Sequence, residues 1–173
     1  MQRLDYVVLL SLGFHAMLRT EEVLSVRTFQ FTLNASEIGV LALPWTKTGG
    51  RRGQQEMVTI DDGHVGRLIL ALIKLIPAGE TLLRGNSQQF RTFFSQAAAV
   101  LKVGYVNYRP YSLRRGGATH DFVHHKSLGR TVVRGRWSHQ RVSRIYIQDG
   151  MAVQTQLQLP PEVRALVTRH MQI

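Results

Sequence analysis

Tyr111-Ser112-Leu113-Arg114-Arg115-Gly116-Gly117-Ala118-Thr119 sets an arginine pair directly in front of two glycines. Pro110 opens the segment, and Leu113, Ala118 and Phe122 give it an apolar side, so both glycines fall inside a predicted helix. Each glycine costs about 1 kcal/mol of helix propensity relative to alanine. Two in succession therefore mark either close packing against another element or the close approach of a ligand backbone.

Working outward, Ser87 is a predicted cap for a helix through Phe90, Phe93, Phe94, Ala97 and Leu101 to about Val103. Beyond the glycines, short helices are expected over 127–136 and 139–148, and Pro160 and Pro161 open a last one ending near Met171. Towards the N-terminus, residues 4–18 are apolar around much of a helical wheel, and Thr20 is a predicted cap for a second helix through Val26. Phe29, Phe31 and Leu33 alternate with Thr28, Gln30 and Thr32, the period of a strand. Further strands are expected at Ile38 to Leu43 and Glu56 to Ile60, with Thr48, Gly49, Gly50 and Gly53 marking the turn between them. Val65, Leu68, Ile69, Leu72, Ile73 and Ile76 then form a helical stripe that stops at Pro77 and Gly79. The expected fold class is mostly α (α+β), with a small three-stranded antiparallel sheet. There is no internal repeat, and the Gln-rich stretch 148–159 is the one linker-like piece.

With 173 residues and 44% apolar side chains against 19% charged, the chain can bury one core and is too apolar for a disordered tail. It has no cysteine, which excludes disulfides, thiolate metal sites and a cysteine nucleophile and fits a reducing, intracellular compartment. The most apolar stretch, Tyr6 to Leu18, is shorter than the ~18 to 20 residues of a membrane span and contains His15. Asp5 before it, and Arg19, Glu21 and Glu22 after it, argue against a signal peptide.

Twenty-two Lys and Arg against 11 Asp and Glu give a net charge of +11, so a polyanion is the expected partner. Eighteen of the 22 cations are arginine, whose planar fork matches phosphate oxygens. Twelve of the 22 Lys and Arg residues lie between residues 84 and 148, against the single acid Asp121. A merely solvated basic surface does not explain that concentration.

Three more local features join the arginine–glycine segment. Arg19 has Glu22 three residues on, which on its own is most simply a surface ion pair. Lys47 leads into a predicted hairpin turn, where most lysines are merely exposed. Trp137 is followed nine residues later by Tyr146, within an arginine-rich stretch. Each is weak alone, but their order is specific.

In that order the chain resembles the catalytic domain of the tyrosine recombinases, the phage-integrase-like family of DNA strand-exchange enzymes. The family's Arg-x-x-Glu box, hairpin lysine, His-x-x-Arg box, His or Trp, and tyrosine nine residues beyond correspond to Arg19 with Glu22, Lys47, Tyr111 with Arg114, Trp137, and Tyr146. The resemblance covers roughly residues 4 to 150 and implies a DNA-breaking and rejoining enzyme of recombination, integration and mobile elements, with neither ATP nor metal required. It implies that Tyr146 attacks a DNA phosphodiester to form a 3′-phosphotyrosyl link, and that Arg19 and Arg114 clamp the nonbridging oxygens, where negative charge builds. Trp137 would donate its indole N–H, Glu22 would support Arg19, and Lys47 would protonate the departing 5′-oxygen. Guanidinium groups nearby are expected to lower the pKa of Tyr146 from its reference near ~10. Arg51, Arg52, Arg109, Arg115, Arg136 and Arg141 are expected to contact double-stranded DNA.

The chain departs from the pattern at Tyr111, where the family usually has histidine. Tyrosine is a hydrogen-bond donor or acceptor where histidine can exchange a proton near neutrality. A slower enzyme, or a catalytically impaired DNA-binding module, follows from that difference, and a type IB-like topoisomerase would use the same chemistry. His139, two residues past Trp137, is off register. His120 and His124, four apart with His125 adjacent, share a predicted helix face, but with no His-Glu-x-x-His pattern they read as ordinary histidines rather than a zinc site. Tyr105 and Tyr108 beside Arg109 read as loop packing rather than as a stacking platform for single strands. Residues 1–150 are expected to form the catalytic domain, beginning too close to Arg19 to include the N-terminal DNA clamp usual in the family. Residues 151–173 are expected to be a linker and helix, with a role in subunit exchange within a tetramer or in capping the domain's own core. Cellular location follows the DNA, in the nucleus of a eukaryote or the cytoplasm of a prokaryote.

Overall fold

Val8, Leu9 and Leu12 have no exposed surface, which puts the first helix, α1 (Leu4–His15), at the centre of the core. This computed structural model describes residues 3–43, 55–148, 153 and 159–171. The elements that follow are α2 (Thr20–Ser25), β1 (Phe31–Leu33), β2 (Gly39–Leu43), β3 (Glu56–Ile60), α3 (Gly63–Ile73), α4 (Ser87–Val100), α5 (Pro110–His125), α6 (Leu128–Arg134), α7 (Gln140–Ser143) and α8 (Pro161–Met171). The fold is mostly α with one small antiparallel sheet, as the sequence patterns predict. The expected turn at 48–53 lies outside the described residues, as do Lys47, Arg51 and Arg52.

The sheet has the order β1-β2-β3, with Leu41 of β2 opposite Phe31 on one side and Val58 on the other. Leu41, Leu43, Val58 and Ile60 turn inward against Ile69 and Leu72 of α3 and the apolar side of α1. Burial of these side chains stabilises the domain by about 1.5 to 3 kcal/mol each. Asp5, buried at the start of α1, accepts from Arg3 at 2.8 and 2.9 Å and from the Arg84 backbone N–H at 3.1 Å, so its charge does not stand unpaired in the core.

Four expectations are corrected. The alternation beginning at Thr28 is not strand, because residues 28–30 form a 3₁₀ turn and the strand starts only at Phe31. There the polar residues point inward and Phe29 is 67% exposed. Gln30 accepts from the Arg27 N–H at 2.6 Å and donates to the Ala42 carbonyl at 2.8 Å, while Thr28 accepts from the Gly79 N–H at 2.8 Å. Satisfying those buried backbone groups outweighs one apolar ring. Asn86, not Ser87, caps α4, accepting from the Gln89 N–H at 2.9 Å while the Gln89 side chain accepts from the Asn86 N–H at 3.0 Å. Thr20 is the first residue of α2 rather than its cap, and the Arg19 N–H is met by Glu22 at 2.8 Å. Finally, helix spans only Gln140–Ser143 of the predicted 139–148, and the chain then turns through Arg144 and Tyr146.

The glycine pair resolves as close packing. A Cβ at Gly117 would stand 2.0 Å from the Phe14 carbonyl oxygen, so α5 can lie against the end of α1 only without a side chain there. Around this contact Met17, Ala118 and Trp137 form a second apolar cluster, with Val132, Tyr146 and Ile147 packed on it. Asp121 of α5 accepts from Thr131 Oγ1 at 2.7 Å, and Arg130 and Arg134 of α6 reach Asp61 after β3 at 2.9 and 2.5 Å. These bonds fix α6, and hence the turn at Trp137, against the sheet side of the domain. The last helix, α8, packs on its own chain through buried Val163 and a 2.5 Å pair between Glu162 and Lys102.

Candidate active site

Arg114 is the largest side chain wholly enclosed, at 1% exposure, although it is a guanidinium. It projects from α5 three residues after Tyr111. Its Nη1 donates to the Met17 carbonyl and its Nη2 to the Gly135 carbonyl at 2.6 Å, so the group is aimed by main-chain acceptors from two other elements. The guanidinium carbon lies 4.9 Å from the Trp137 ring and 5.5 Å from the Tyr146 ring, and the two rings are 4.8 Å apart. Burial, with Arg19 and Arg136 nearby, lowers the Arg114 pKa to about 10, which still leaves it charged at neutral pH.

Trp137 is set by its own neighbour. A Cβ at Gly135 would fall 1.9 Å from the indole, so the ring folds back over that glycine to reach Arg114 and Tyr146. Tyr146 sits just past α7, held from behind by a 3.3 Å hydrogen bond from Thr119 Oγ1 to its carbonyl. In front, the Tyr111 hydroxyl donates to the Tyr146 hydroxyl at 2.5 Å. Burial and this bond push the Tyr111 pKa up to about 12. Near neutrality Tyr111 therefore keeps its proton and offers it to Tyr146; it is a donor and not a base.

The second basic element enters from α2. Arg19, 31% exposed, pairs with Glu22 at 2.6 Å, and Glu22 is also held by Arg136 at 2.6 Å. Arg136 reaches on to Glu56 at 2.8 Å. Burial raises the Glu22 pKa, but hydrogen bonds from Arg136 and Arg19 outweigh it and leave the carboxyl below its usual range. Arg19 and Arg136 are thus matched by two carboxylates, Glu22 and Glu56, while Arg114, held by two carbonyls, leaves one positive charge over. Four buried N–H donors in this region have no acceptor: Nε of Arg114, Arg115 and Arg136, and Nε1 of Trp137. Unmet buried donors cost about 1–3 kcal/mol each. A residual positive charge with unused donors suits a singly charged oxyanion.

The structure brings together Arg19, Glu22, Arg114, Trp137, Tyr111 and Tyr146, as well as Arg136. Arg109 and Tyr111 line a groove of about 590 Å³ with Thr20, Glu21, Arg91 and Tyr108, beside the phenol pair. Arg141 is exposed and Arg115 half-buried. Arg136, expected on an open DNA face, is 8% exposed and turned inward between two carboxylates. Its internal role left no local signal, since its partners lie 114 and 80 residues away in sequence. Arg91 of the groove likewise carries no local signal, because only folding places α4 beside α2. The His120 and His124 rings stack parallel with 6.1 Å between centroids, and no group of three or more His, Asp or Glu among the described residues is arranged to hold a metal. No described helix is long and apolar enough to cross a membrane.

This arrangement of helices around a three-stranded sheet is the fold of the tyrosine recombinase catalytic domain. Two solved structures carry the comparison, both of XerH site-specific recombinase. The post-cleavage complex bound to palindromic difH substrate matches with a TM-score of 0.68 at 15% identity, over 84% of this chain and 43% of that one. The pre-cleavage complex bound to difH substrate matches with a TM-score of 0.68 at 14% identity, over 84% and 44%. This chain therefore spans less than half the length of either. No protein-family profile and no curated protein sequence matches it.

Proposed function

We propose that this chain cleaves and rejoins DNA strands through a phosphotyrosyl intermediate on Tyr146. The observation that carries the reading is the enclosed Arg114 guanidinium, lying over the Trp137 and Tyr146 rings, with its own Nε and the indole N–H lacking acceptors. A phosphodiester carries one negative charge and two nonbridging oxygens that take those donors once the cover over Arg114 opens to admit it. In the step we infer, Tyr146 Oη bonds to phosphorus and its proton leaves to water, while the bond to the 5′-oxygen breaks. That oxygen takes a proton from Lys47, the acid supplied by the chain between β2 and β3. Arg19 and Arg114 stabilise the charge that builds on the nonbridging oxygens. Tyr111 donates to the attacking oxygen and orients it. Rejoining runs the same steps backwards, with no cofactor.

The fold and the +11 net charge support double-stranded DNA as the partner, its backbone met by Arg109, which lines the groove, and by the exposed Arg141. The XerH structures are of a site-specific recombinase on its DNA substrate, and site-specific recombination by a DNA-bound oligomer is the biological reading we adopt. A catalytically impaired DNA-binding module is the second reading, favoured by one observation: Tyr111, with its pKa near 12, supplies no proton acceptor where the family has histidine. A nicked suicide duplex decides between them. Active protein becomes covalently attached, with mass spectrometry placing the nucleotide on Tyr146 and Tyr146→Phe giving none. Binding with no adduct from the unaltered chain leaves the second reading standing.

A further inference from the structure

Arg136 occupies an unusual place. It stands between Gly135, whose carbonyl receives Arg114, and Trp137, whose ring lies beneath Arg114 and Tyr146. Its backbone is left-handed, with φ of +56°, a conformation costing a residue with a side chain about 1–2 kcal/mol. The chain accepts that strain and directs the guanidinium inward. Nη2 donates to Glu22 at 2.6 Å, Nη1 to Glu56 at 2.8 Å and again to Glu22 at 3.3 Å. Glu22 in turn holds both the backbone N–H and the guanidinium of Arg19, at 2.8 and 2.6 Å. Glu56 is the first residue of β3, paired with Leu43 at the end of β2. A continuous chain of ion pairs therefore links Arg19, Glu22, Arg136 and Glu56, and joins α2, the Trp137 turn and the β2–β3 pair.

We propose that Arg136 is a positioning residue for strand cleavage and not a DNA contact. By gripping both oxygens of Glu22 it sets the angle at which that carboxylate presents Arg19, and by reaching Glu56 it fixes the sheet edge against the turn that carries Trp137. With Arg136 absent, Glu22 keeps only Arg19, which is free to swing with it. This inference rests on the proposed phosphotyrosyl chemistry.

Arg136→Gly suits the test, because a φ of +56° is favourable for glycine and the change deletes the side chain without backbone strain. Three quantities are read on the full chain: urea stability, duplex affinity across a salt series, and the single-turnover rate of adduct formation on a nicked duplex at saturating protein. The expected result is a folded variant whose duplex affinity lies within about threefold of the parent and whose salt slope is unchanged. Its adduct rate falls about 100-fold, the size of a loss of alignment. Millimolar guanidinium ion is expected to recover part of that rate by refilling the space between Glu22 and Glu56. A salt slope lower by about one phosphate contact would make Arg136 a DNA contact and overturn the inference, as would an undiminished rate at saturation. If Arg136→Gly fails to fold, Glu56→Gln removes one end of the chain while leaving Arg136 on Glu22, and a rate unchanged there overturns the inference too. An unaltered chain that forms no adduct refutes the parent reading instead, a result separate from either of these.

Discussion

Gly116 and Gly117 are adjacent in sequence and in one helix, yet alanine should be tolerated at the first and destabilising at the second. Both substitutions gain about 1 kcal/mol of helix propensity. At Gly116 the new methyl would meet the edge of the Phe14 ring, at 3.2 and 3.5 Å, and that half-buried ring can shift by a few tenths of an ångström. At Gly117 it would meet the Phe14 carbonyl oxygen at 2.0 Å and the carbonyl carbon at 3.0 Å, which belong to the backbone of α1. Relief there means moving α1 from α5 by more than an ångström, and with it the Met17 carbonyl that receives Arg114. Overpacking of this kind costs about 1–3 kcal/mol and can exceed that range against a backbone. Taking the upper end and subtracting the propensity gain, Gly117→Ala should be less stable by about 2 kcal/mol, and Gly116→Ala should change by no more than about 0.5 kcal/mol. With a urea m-value of about 2 kcal/mol/M the midpoint of the first falls by about 1 M while the second stays in place. Gly117→Ala should also lose adduct formation, because Arg114 loses an acceptor. Equal midpoints for the two variants, or a more stable Gly117→Ala, would refute the packing argument.

Three further expectations can be checked with the same protein. Gly135→Ala places a methyl 1.9 Å from the Trp137 ring, so it should destabilise by about 1–3 kcal/mol and shift the indole emission of a chain whose other tryptophan is Trp45. Tyr111→Phe deletes the 2.5 Å hydrogen bond to Tyr146 but not the ring, so duplex affinity should hold while adduct formation slows about 10- to 100-fold; an unchanged rate in a single-turnover assay rules out the orienting role. Partial burial lowers the pKa of His15 and, with His124 beside it, that of the more exposed His120, so the unfolded chain binds their protons first and stability should fall modestly as pH drops below 6.5. Glu22, also lowered, adds a separate loss below 4.5. Urea midpoints between pH 8 and 5 should flatten in a His15→Gln, His120→Gln variant, and an unaltered slope would remove the histidines from the account.

Periodicity and spacing made much of this molecule legible in advance. The stripe from Val65 to Ile76, the apolar wheel of residues 4–18 and the proline at the head of α5 each reflect forces acting within one turn or one strand, and those appear in any short window. The ordered set of Arg19, Glu22, Tyr111, Arg114, Trp137 and Tyr146 was visible because its order and spacing along the chain resemble the boxes of the tyrosine recombinases. The window misread 28–30, where an apolar alternation yielded to the hydrogen-bonding needs of Arg27, Gly79 and Ala42. It gave no hint that Arg136 turns inward, because a side chain's direction depends on carboxylates that lie far along the chain.

The sequence alone determined the chemistry available, with a surplus of guanidinium groups, two candidate phenols and no thiol, together with the alternation of helices and strands that fold it. Only the tertiary structure decided which guanidiniums are enclosed and which remain on the surface, why the glycines stand where they do, and that Tyr111 meets Tyr146 as a proton donor. Composition and local period are properties of neighbours in the chain, whereas burial, charge compensation and hydrogen-bond direction are set by groups that meet only when the backbone closes.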